Sequence, residues 1–442
     1  MNGSADLTVL MHGHAAARLS SNIDGGLSIA YADDYMDVPA AVPLSLSMPF
    51  TDRAYGRRTV ERWVHSLLPD NPNVLSRWYA REDVRQRSPF GLLSTKIGFD
   101  CAGAVQFCPA GAEDLLADRA SGIDALSTAQ VERELDAVVA DPDAWHSNDV
   151  EPYFSLGGFQ SKIALHRVDG GWGRPYGNVP TTHIFKPRSR AGAMVAVGEH
   201  LCLSAAGRLG LNTAPSHLER HGTATALVVE RYDRAYGNGL WARIHQEDLC
   251  QALGLDGNRK YEHSGGPGMS QIGDLLRQNS TDPDKDLRSF ADALIYSWLV
   301  INRDAHARNY SIVHTPSTIH LAPLYDVNSS LMFRRPKIGE ANMAMRYGST
   351  FTVYSAGSKQ ALGDMAKRLR LPPGELAQRA EELASGLPAA MDSAIRTLPD
   401  DLQTASETEE FAQRVQRRTS ECLASISAAR KHIRQTRSAS PG

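Results

Sequence analysis

One junction constrains this chain more than any other. A long apolar helix is predicted over Leu287–Ile301, and it runs into the polar run Asn302-Arg303-Asp304-Ala305-His306-Ala307-Arg308-Asn309, with the short apolar segment Tyr310–Val313 behind it. Phosphoryl transfer needs a carboxylate to orient the attacking hydroxyl and take its proton, and oxygen ligands that hold Mg²⁺ on the phosphates. Asp304 and Asn309 have the spacing of the acid and the metal-binding amide in a protein-kinase catalytic loop. Alone, this pattern also fits a polar surface loop. A second carboxylate follows in Leu321-Ala322-Pro323-Leu324-Tyr325-Asp326, where kinases place their other Mg²⁺-binding Asp. Asn328 stands where the usual tripeptide has Gly. Taken by itself, Asp326 also reads as a turn residue after a strand.

Three weaker patterns precede this pair. Ser155-Leu156-Gly157-Gly158-Phe159-Gln160-Ser161-Lys162 reads as strand, glycine turn, strand, with Phe154–Gly158 as the first strand. Glycine lets backbone N–H groups approach phosphate oxygens, although a plain hairpin uses the same composition. Lys186 closes the apolar strand Thr182–Phe185, and a lysine there can neutralise phosphates; a surface lysine is the alternative. Glu199, on a helix predicted over Ala193–Leu209 and ended by Gly210, is a candidate ion-pair partner for Lys186 or else a solvated side chain. Val228-Val229-Glu230-Arg231-Tyr232 carries an apolar strand into a polar turn, as an adenine-binding hinge or a salt-bridged strand end would. Each pattern is modest, but their order is that of a two-lobed kinase.

The rest of the chain sets the frame. Its 442 residues suggest two to three domains at roughly 150 residues each. With 42% apolar and 22% charged residues the composition is that of a soluble globular protein, and a net charge of −3 argues against a dedicated nucleic-acid binder. Five cysteines match no zinc spacing and read as free thiols in a reducing cytoplasm. No secretory signal or membrane span is visible, so no membrane partner is expected. Leu7–Leu10 and Leu27–Ala30 read as strands, Val42–Met48 as a half-buried strand by its alternation, and Thr59–Leu68 as a helix. Residues 111–142 read as helices or a linker. Residues 405–437, with Arg430, Lys431, Arg434 and Arg437 clustered near the end, read as a solvated helix or frayed tail, or else as a contact for DNA or a partner.

These residues together resemble the HipA toxin kinases of bacterial toxin–antitoxin modules. The glycine loop 155–162, Phe185-Lys186-Pro187, Glu230-Arg231-Tyr232-Asp233-Arg234, His245-Gln246-Glu247-Asp248-Leu249-Cys250-Gln251-Ala252, Asn302-x-Asp304-x-His306-x-x-Asn309 and Leu324-Tyr325-Asp326-Val327 carry the likeness in the kinase region. Pro43-Leu44-Ser45-Leu46-Ser47-Met48-Pro49, Leu67-Leu68-Pro69 and Gly98-Phe99-Asp100-Cys101-Ala102-Gly103-Ala104-Val105 carry it in the preceding small domain. Phe159 departs from the pattern by replacing a small residue.

The resemblance implies an α+β, two-lobed protein-kinase-like fold. It places a small N-terminal β-rich domain at 1–110, a helical linker at 111–150, the kinase N-lobe at 151–260, a helical C-lobe at 261–400 and a charged helical or disordered tail at 401–442. It implies ATP and Mg²⁺ as cofactors. Asp304 would be the base, and Asn309 and Asp326 the metal ligands. The nucleotide would meet Gly157, Gly158, Phe159, Gln160, Ser161, Lys162, Lys186, Glu230, Arg231, Tyr232, His306, Asn309 and Asp326. His306 alternatively fixes its loop by hydrogen bonds. Ser155 would be the autophosphorylation site that switches the kinase off, since a dianion there repels ATP phosphates; otherwise it is a strand residue with a satisfied hydroxyl. The implied partners are a protein substrate of the aminoacyl-tRNA synthetase class and a small DNA-binding antitoxin of the HipB type, with DNA reached only through the antitoxin. A kinase-like scaffold without transfer activity and a small-molecule phosphotransferase are the competing readings.

Overall fold

The computed structural model describes residues 5–84, 87–147, 149–188, 193–333 and 341–438. The chain forms two compact units. The first draws on Met1–Ser189, Glu219–Gly257 and Ile312–Thr318, the second on Arg190–Leu218, Asn258–Ser311 and Ile319–Gly442.

Two sheets organise the first unit. One has the order Ala54–Tyr55, Leu27–Tyr31, His14–Ser21, Ala5–Met11, Val105–Pro109, all antiparallel. Its first hairpin turns through His12 and Gly13, both at positive φ, a two-residue turn whose twist matches that of the strands. Helix Arg57–Leu67 closes the core with Val60, Trp63, Val64 and Leu67, which join Leu7, Val9, Leu19, Ile29 and Phe107. The second sheet has the order Ser216–His221, Ala224–Glu230, His183–Pro187, Ile163–Val168, Gly171–Tyr176, Gly122–Leu126, its edge strand entering this unit at Glu219. Helix Thr128–Ala140 covers it, packing Val131, Leu135 and Val138 against Phe185 and Val228. Ser127 and Gln130 cap that helix reciprocally.

Two sequence expectations change here. Residues 111–150 are not a helical linker: Gly122–Leu126 pairs with Gly171–Tyr176, and the following helix completes the core of the same sheet. Val42–Met48 is not a strand despite its alternation. Its backbone is claimed by side chains instead: Leu44 N–H donates to the Tyr31 hydroxyl at 2.8 Å, that hydroxyl donates to Met48 O at 2.6 Å, and Leu46 N–H donates to Glu247 at 2.8 Å.

The second unit is mainly helical, with helices Ala193–Arg208, Met269–Asn279, Pro283–Val300, Ala361–Leu369, Pro373–Ile395 and Ser406–Ser438. Pro283–Val300 begins on Asp282, whose side chain accepts from Lys285 N–H at 3.2 Å, with Pro at the first turn where no N–H is needed. It stops at Ile301, forced to φ 55°, a left-handed conformation costly for a β-branched residue. Asn302 N–H then bonds back to Ser297 O at 2.7 Å, and the chain turns into the polar loop.

The tail is helical, as one of its readings had it, but packed rather than solvated. Ser406–Ser438 is one 33-residue helix, and Phe411, Val415, Cys422, Ile426 and Ala429 are buried. It packs along Pro373–Ile395. Arg430 pairs with Glu381, and Arg418 lies 5.4 Å from the Trp298 ring centre. Charge-rich composition hid a buried stripe at helical spacing. All five cysteines are free and buried. Among the described residues no helix is long and apolar enough to cross a membrane.

Candidate functional site

The left-handed stop at Ile301 sets the geometry of the loop after it. Asn302, buried, accepts Asp304 N–H on its side-chain oxygen at 3.2 Å. Asp304 O accepts His306 N–H at 2.8 Å, and the Asn309 amide nitrogen donates to the same carbonyl at 2.7 Å. The acid and the amide predicted from spacing are thus bound into one turn. The Asn309 amide nitrogen is committed to that bond.

His306 lies beside both carboxylates. Its Nε2 is 3.6 Å from Asp304 Oδ1, and the Asp326 charge acts on it. Burial first, then the Lys260 and Arg308 cations, push its pKa down to about 3 against the opposing pull of Asp326. His306 is therefore neutral at physiological pH and forms no ion pair with Asp304. Its buried Nδ1 has no hydrogen-bond partner among the described residues.

Asp326 follows Thr213↔Leu324, a parallel bridge that fixes the strand end. Its φ is 53°, a left-handed value that Asp tolerates better than most residues. The Asn328 amide nitrogen donates to Asp326 Oδ1 at 3.0 Å, and the buried Asn328 Oδ1 has no donor among the described residues. Asp326, the Asn309 amide and the orphaned Asn328 oxygen are oxygen atoms of the type a hard divalent cation takes, while among the described residues no group of three or more His, Cys, Asp or Glu side chains is placed to hold a metal ion.

Sequence reading missed Tyr261. Its hydroxyl donates to Asp304 Oδ1 in a short hydrogen bond, across 43 residues of sequence. The signal for a rigid turn was present in Gly265-Gly266-Pro267-Gly268, but nothing local tied it to Asp304.

In the first unit the predicted glycine strand is absent. Ser155 makes one parallel bridge to Cys101, and residues 156–162 have no strand structure. Ser155 is fully buried and donates through Oγ to Leu67 O at 2.7 Å. Gly158, at φ 103°, accepts Asp70 N–H at 2.9 Å. Lys162 reaches back to Gly157 O at 3.1 Å and sits 4.0 Å from the Trp145 ring centre, while Phe159 is 64% exposed. Gln160 lies beside it, partly buried, and Ser161 donates to Pro142 O at 2.8 Å.

Lys186 is buried in a central strand opposite Leu227, so it is no ordinary surface lysine. Glu199 is fully buried in helix Ala193–Arg208 of the second unit, which removes the solvated reading. Glu230 pairs in register with His183, and the Tyr232 hydroxyl donates to Gln246 at 2.8 Å.

Arg231 is a correction. Its N–H donates to Thr182 O at 2.9 Å, and its guanidinium is spent on Asp233, Asp100, Thr181 and Cys101 O. With Arg234 and Arg243 it forms a buried network around Asp100 and Asp233. Arg231 is scaffold, not a nucleotide ligand.

Known proteins resemble this chain over most of its length. The HipA-like C-terminal domain family matches residues 154–391, and the HipA N-terminal domain family matches residues 7–108. Y4mE of Sinorhizobium fredii, a protein named as a kinase, is 33% identical over 350 residues, covering 78% of this chain and 82% of that protein. The serine/threonine-protein kinase toxin HipA of Shewanella oneidensis is 28% identical, covering 84% of this chain and 85% of that one. Among solved structures, a chain of the Shewanella oneidensis HipA, HipB and operator DNA complex shares the fold with a TM-score of 0.81 at 24% identity, covering 98% of this chain and 100% of that one.

Proposed function

The chain belongs to the HipA family, and from this premise we propose that it is an ATP- and Mg²⁺-dependent serine/threonine protein kinase, the toxin of a toxin–antitoxin pair. The observation that carries the reading is the gathering of Asp304, Asn309 and Asp326 about a neutral, buried His306. Two carboxylates and an amide on these turns supply oxygen atoms of the kind that bind Mg²⁺ beside phosphates.

In this reading Asp304 orients the acceptor serine and takes its proton as the oxygen bonds to the γ-phosphorus of ATP; the bond to the β-phosphate oxygen breaks and ADP leaves. Asn309 and Asp326 hold Mg²⁺, and the buried Asn328 Oδ1 is a further oxygen that a cation would satisfy. When bound, the metal offsets charge on the phosphate oxygens. Lys186 and the loop Gly157–Lys162 bind the phosphates. Glu230 and Tyr232 meet adenine through their backbone.

The protein substrate is a translation component such as an aminoacyl-tRNA synthetase. The partner is a small antitoxin of the HipB type, as in the complex of the Shewanella protein, and DNA is met only through it. Ser155 is the site of self-inactivation. Since its hydroxyl is buried on Leu67 O, the segment must leave Leu67 before it can be modified.

The experiment is incubation with radiolabelled ATP and a bacterial lysate, with Asp304→Ala as control, followed by identification of labelled proteins and an intact-mass measurement. The expected result is one labelled lysate protein and one phosphate on Ser155, both lost in the control. Equal labelling in the control removes the kinase assignment, and an active enzyme unmodified at Ser155 removes the self-inactivation.

A further inference from the structure

A phenol is built onto the carboxylate that the proposed reaction uses as its base. Tyr261 donates through its hydroxyl to Asp304 Oδ1. The ring is held on two sides, stacked on His263 at 5.3 Å and 19° and met edge-on by His306 at 4.9 Å and 89°. Its backbone is fixed as firmly. Tyr261 O accepts Ser264 N–H at 3.0 Å and Gly266 N–H at 2.9 Å. Lys260 O accepts Ala307 N–H at 3.3 Å, which ties this segment to the catalytic loop itself. Glu262 N–H donates to Ala344 O at 3.1 Å, and the Glu262 carboxylate accepts Arg346 N–H at 2.7 Å.

The turn admits no other residue where its glycines stand. Gly265 has φ 87°. A Cβ on Gly266 would lie 2.1 Å from Arg259 O and 2.8 Å from Tyr261 O. Glycine at 266 is therefore what lets the chain close over the Tyr261 carbonyl. The turn, the two histidine rings and the Lys260 tether all converge on one tyrosine.

We propose that Tyr261 is a positioning residue for phosphoryl transfer: its hydroxyl fixes the plane of the Asp304 carboxylate for the acceptor hydroxyl. This rests on the reading of Asp304 as the base. A phenol suits the task because it donates a hydrogen bond without adding charge. His306, 3.6 Å from the same oxygen, is beyond hydrogen-bond distance. Fixing one oxygen of a carboxylate sets where the other points, and small errors in that direction are costly at a reacting centre.

The test is Tyr261→Phe in the full chain, which keeps the ring and removes only the hydroxyl. ATP turnover is followed as ADP formed with Mg²⁺, beside affinity for a fluorescent ATP analogue and the melting temperature. The expected result is a fall in kcat of about tenfold to a hundredfold, the range for losing a group that orients a functional side chain, with KM for ATP, analogue affinity and melting temperature unchanged. Unchanged kcat overturns the proposal. So does a fall in kcat accompanied by equal losses of nucleotide affinity and melting temperature, which would make Tyr261 a fold residue. Absence of turnover in the unaltered protein would instead sink the kinase reading beneath it.

Discussion

Two of the acid–base clusters among the described residues, one in each unit, are finished differently. Around Asp100 and Asp233 every carboxylate oxygen is taken, and the one orphan among the described residues there is Arg243 Nε. Asp100 Oδ1 accepts from Arg234 and Arg243, its Oδ2 from Thr181 and Arg231, and the Asp233 oxygens from Arg231 and Gly103. Beside Asp304 and Asp326, two neighbouring side chains are left open. Asn328 Oδ1 and His306 Nδ1 are buried without partners among the described residues, and Ile301 and Asp326 hold left-handed backbone. Completed polar networks specify a fold. Unfinished polar groups and strained backbone mark places where a ligand completes the chemistry.

The sharpest way to break this contrast is to neutralise one acid in each cluster. Asp304→Asn is expected to lower ATP turnover by about 10²- to 10⁴-fold, the usual worth of a general base, while the denaturant midpoint stays put. Asp100→Ala is expected to do the opposite. It leaves three buried guanidinium groups with too few acceptors, a loss of about 3–5 kcal/mol visible in urea unfolding. If Asp304→Asn unfolds the protein as readily as Asp100→Ala, the distinction fails.

Acid titration sharpens the comparison further. Burial of His200, reinforced by the charges of His217 and Arg208, pushes its pKa down to about 4. Above pH 6.5 both folded and unfolded forms are neutral there. Below it the unfolded chain takes a proton that the folded one refuses, so stability falls by about 1.4 kcal/mol per pH unit until about pH 4. Asp100 acts in the same direction but at lower pH. Burial alone would raise its pKa, but Arg234, Arg231 and Arg243 hold it below the usual carboxylate value of 3.8, so its contribution persists until the pH drops below that range. Unfolding followed against pH should show an early loss that His200→Gln reduces but does not abolish, since buried His306 and His146 are held down too, to about 3 and about 4, and a later one that it leaves alone; an early loss of equal size in both proteins would contradict the assignment.

The smallest expected effect is at Asn328. Asn328→Gly restores the glycine of the usual kinase tripeptide but removes the orphaned oxygen. Mn²⁺ affinity, read by electron paramagnetic resonance with a non-hydrolysable ATP analogue, is expected to weaken about tenfold. No change would mean that this oxygen faces no cation.

What the sequence disclosed follows the reach of each force. Helix Pro283–Val300 and strands such as Ala5–Met11 and His183–Pro187 showed in local periodicity. That Asp304 and Asn309 share one turn was readable because they lie five residues apart. Val42–Met48 deceived because Tyr31 and Glu247, distant in sequence, take its backbone groups. Arg231 deceived for the same reason, its partner Asp100 lying 131 residues away. Tyr261 was invisible because its link to Asp304 exists only after folding. The final helix was hidden by its charge, which masked Phe411, Val415 and Cys422.

Leu67 ends helix Arg57–Leu67, and its carbonyl is one of the terminal acceptors that a helix cannot satisfy from within; the Ser155 hydroxyl supplies the missing hydrogen. An alanine at 155, the usual blank for a modification site, would therefore strip out an anchor together with the acceptor. A phenotype from that variant would mix two causes, and only a replacement that still donates to Leu67 would separate a lost signal from a loosened joint.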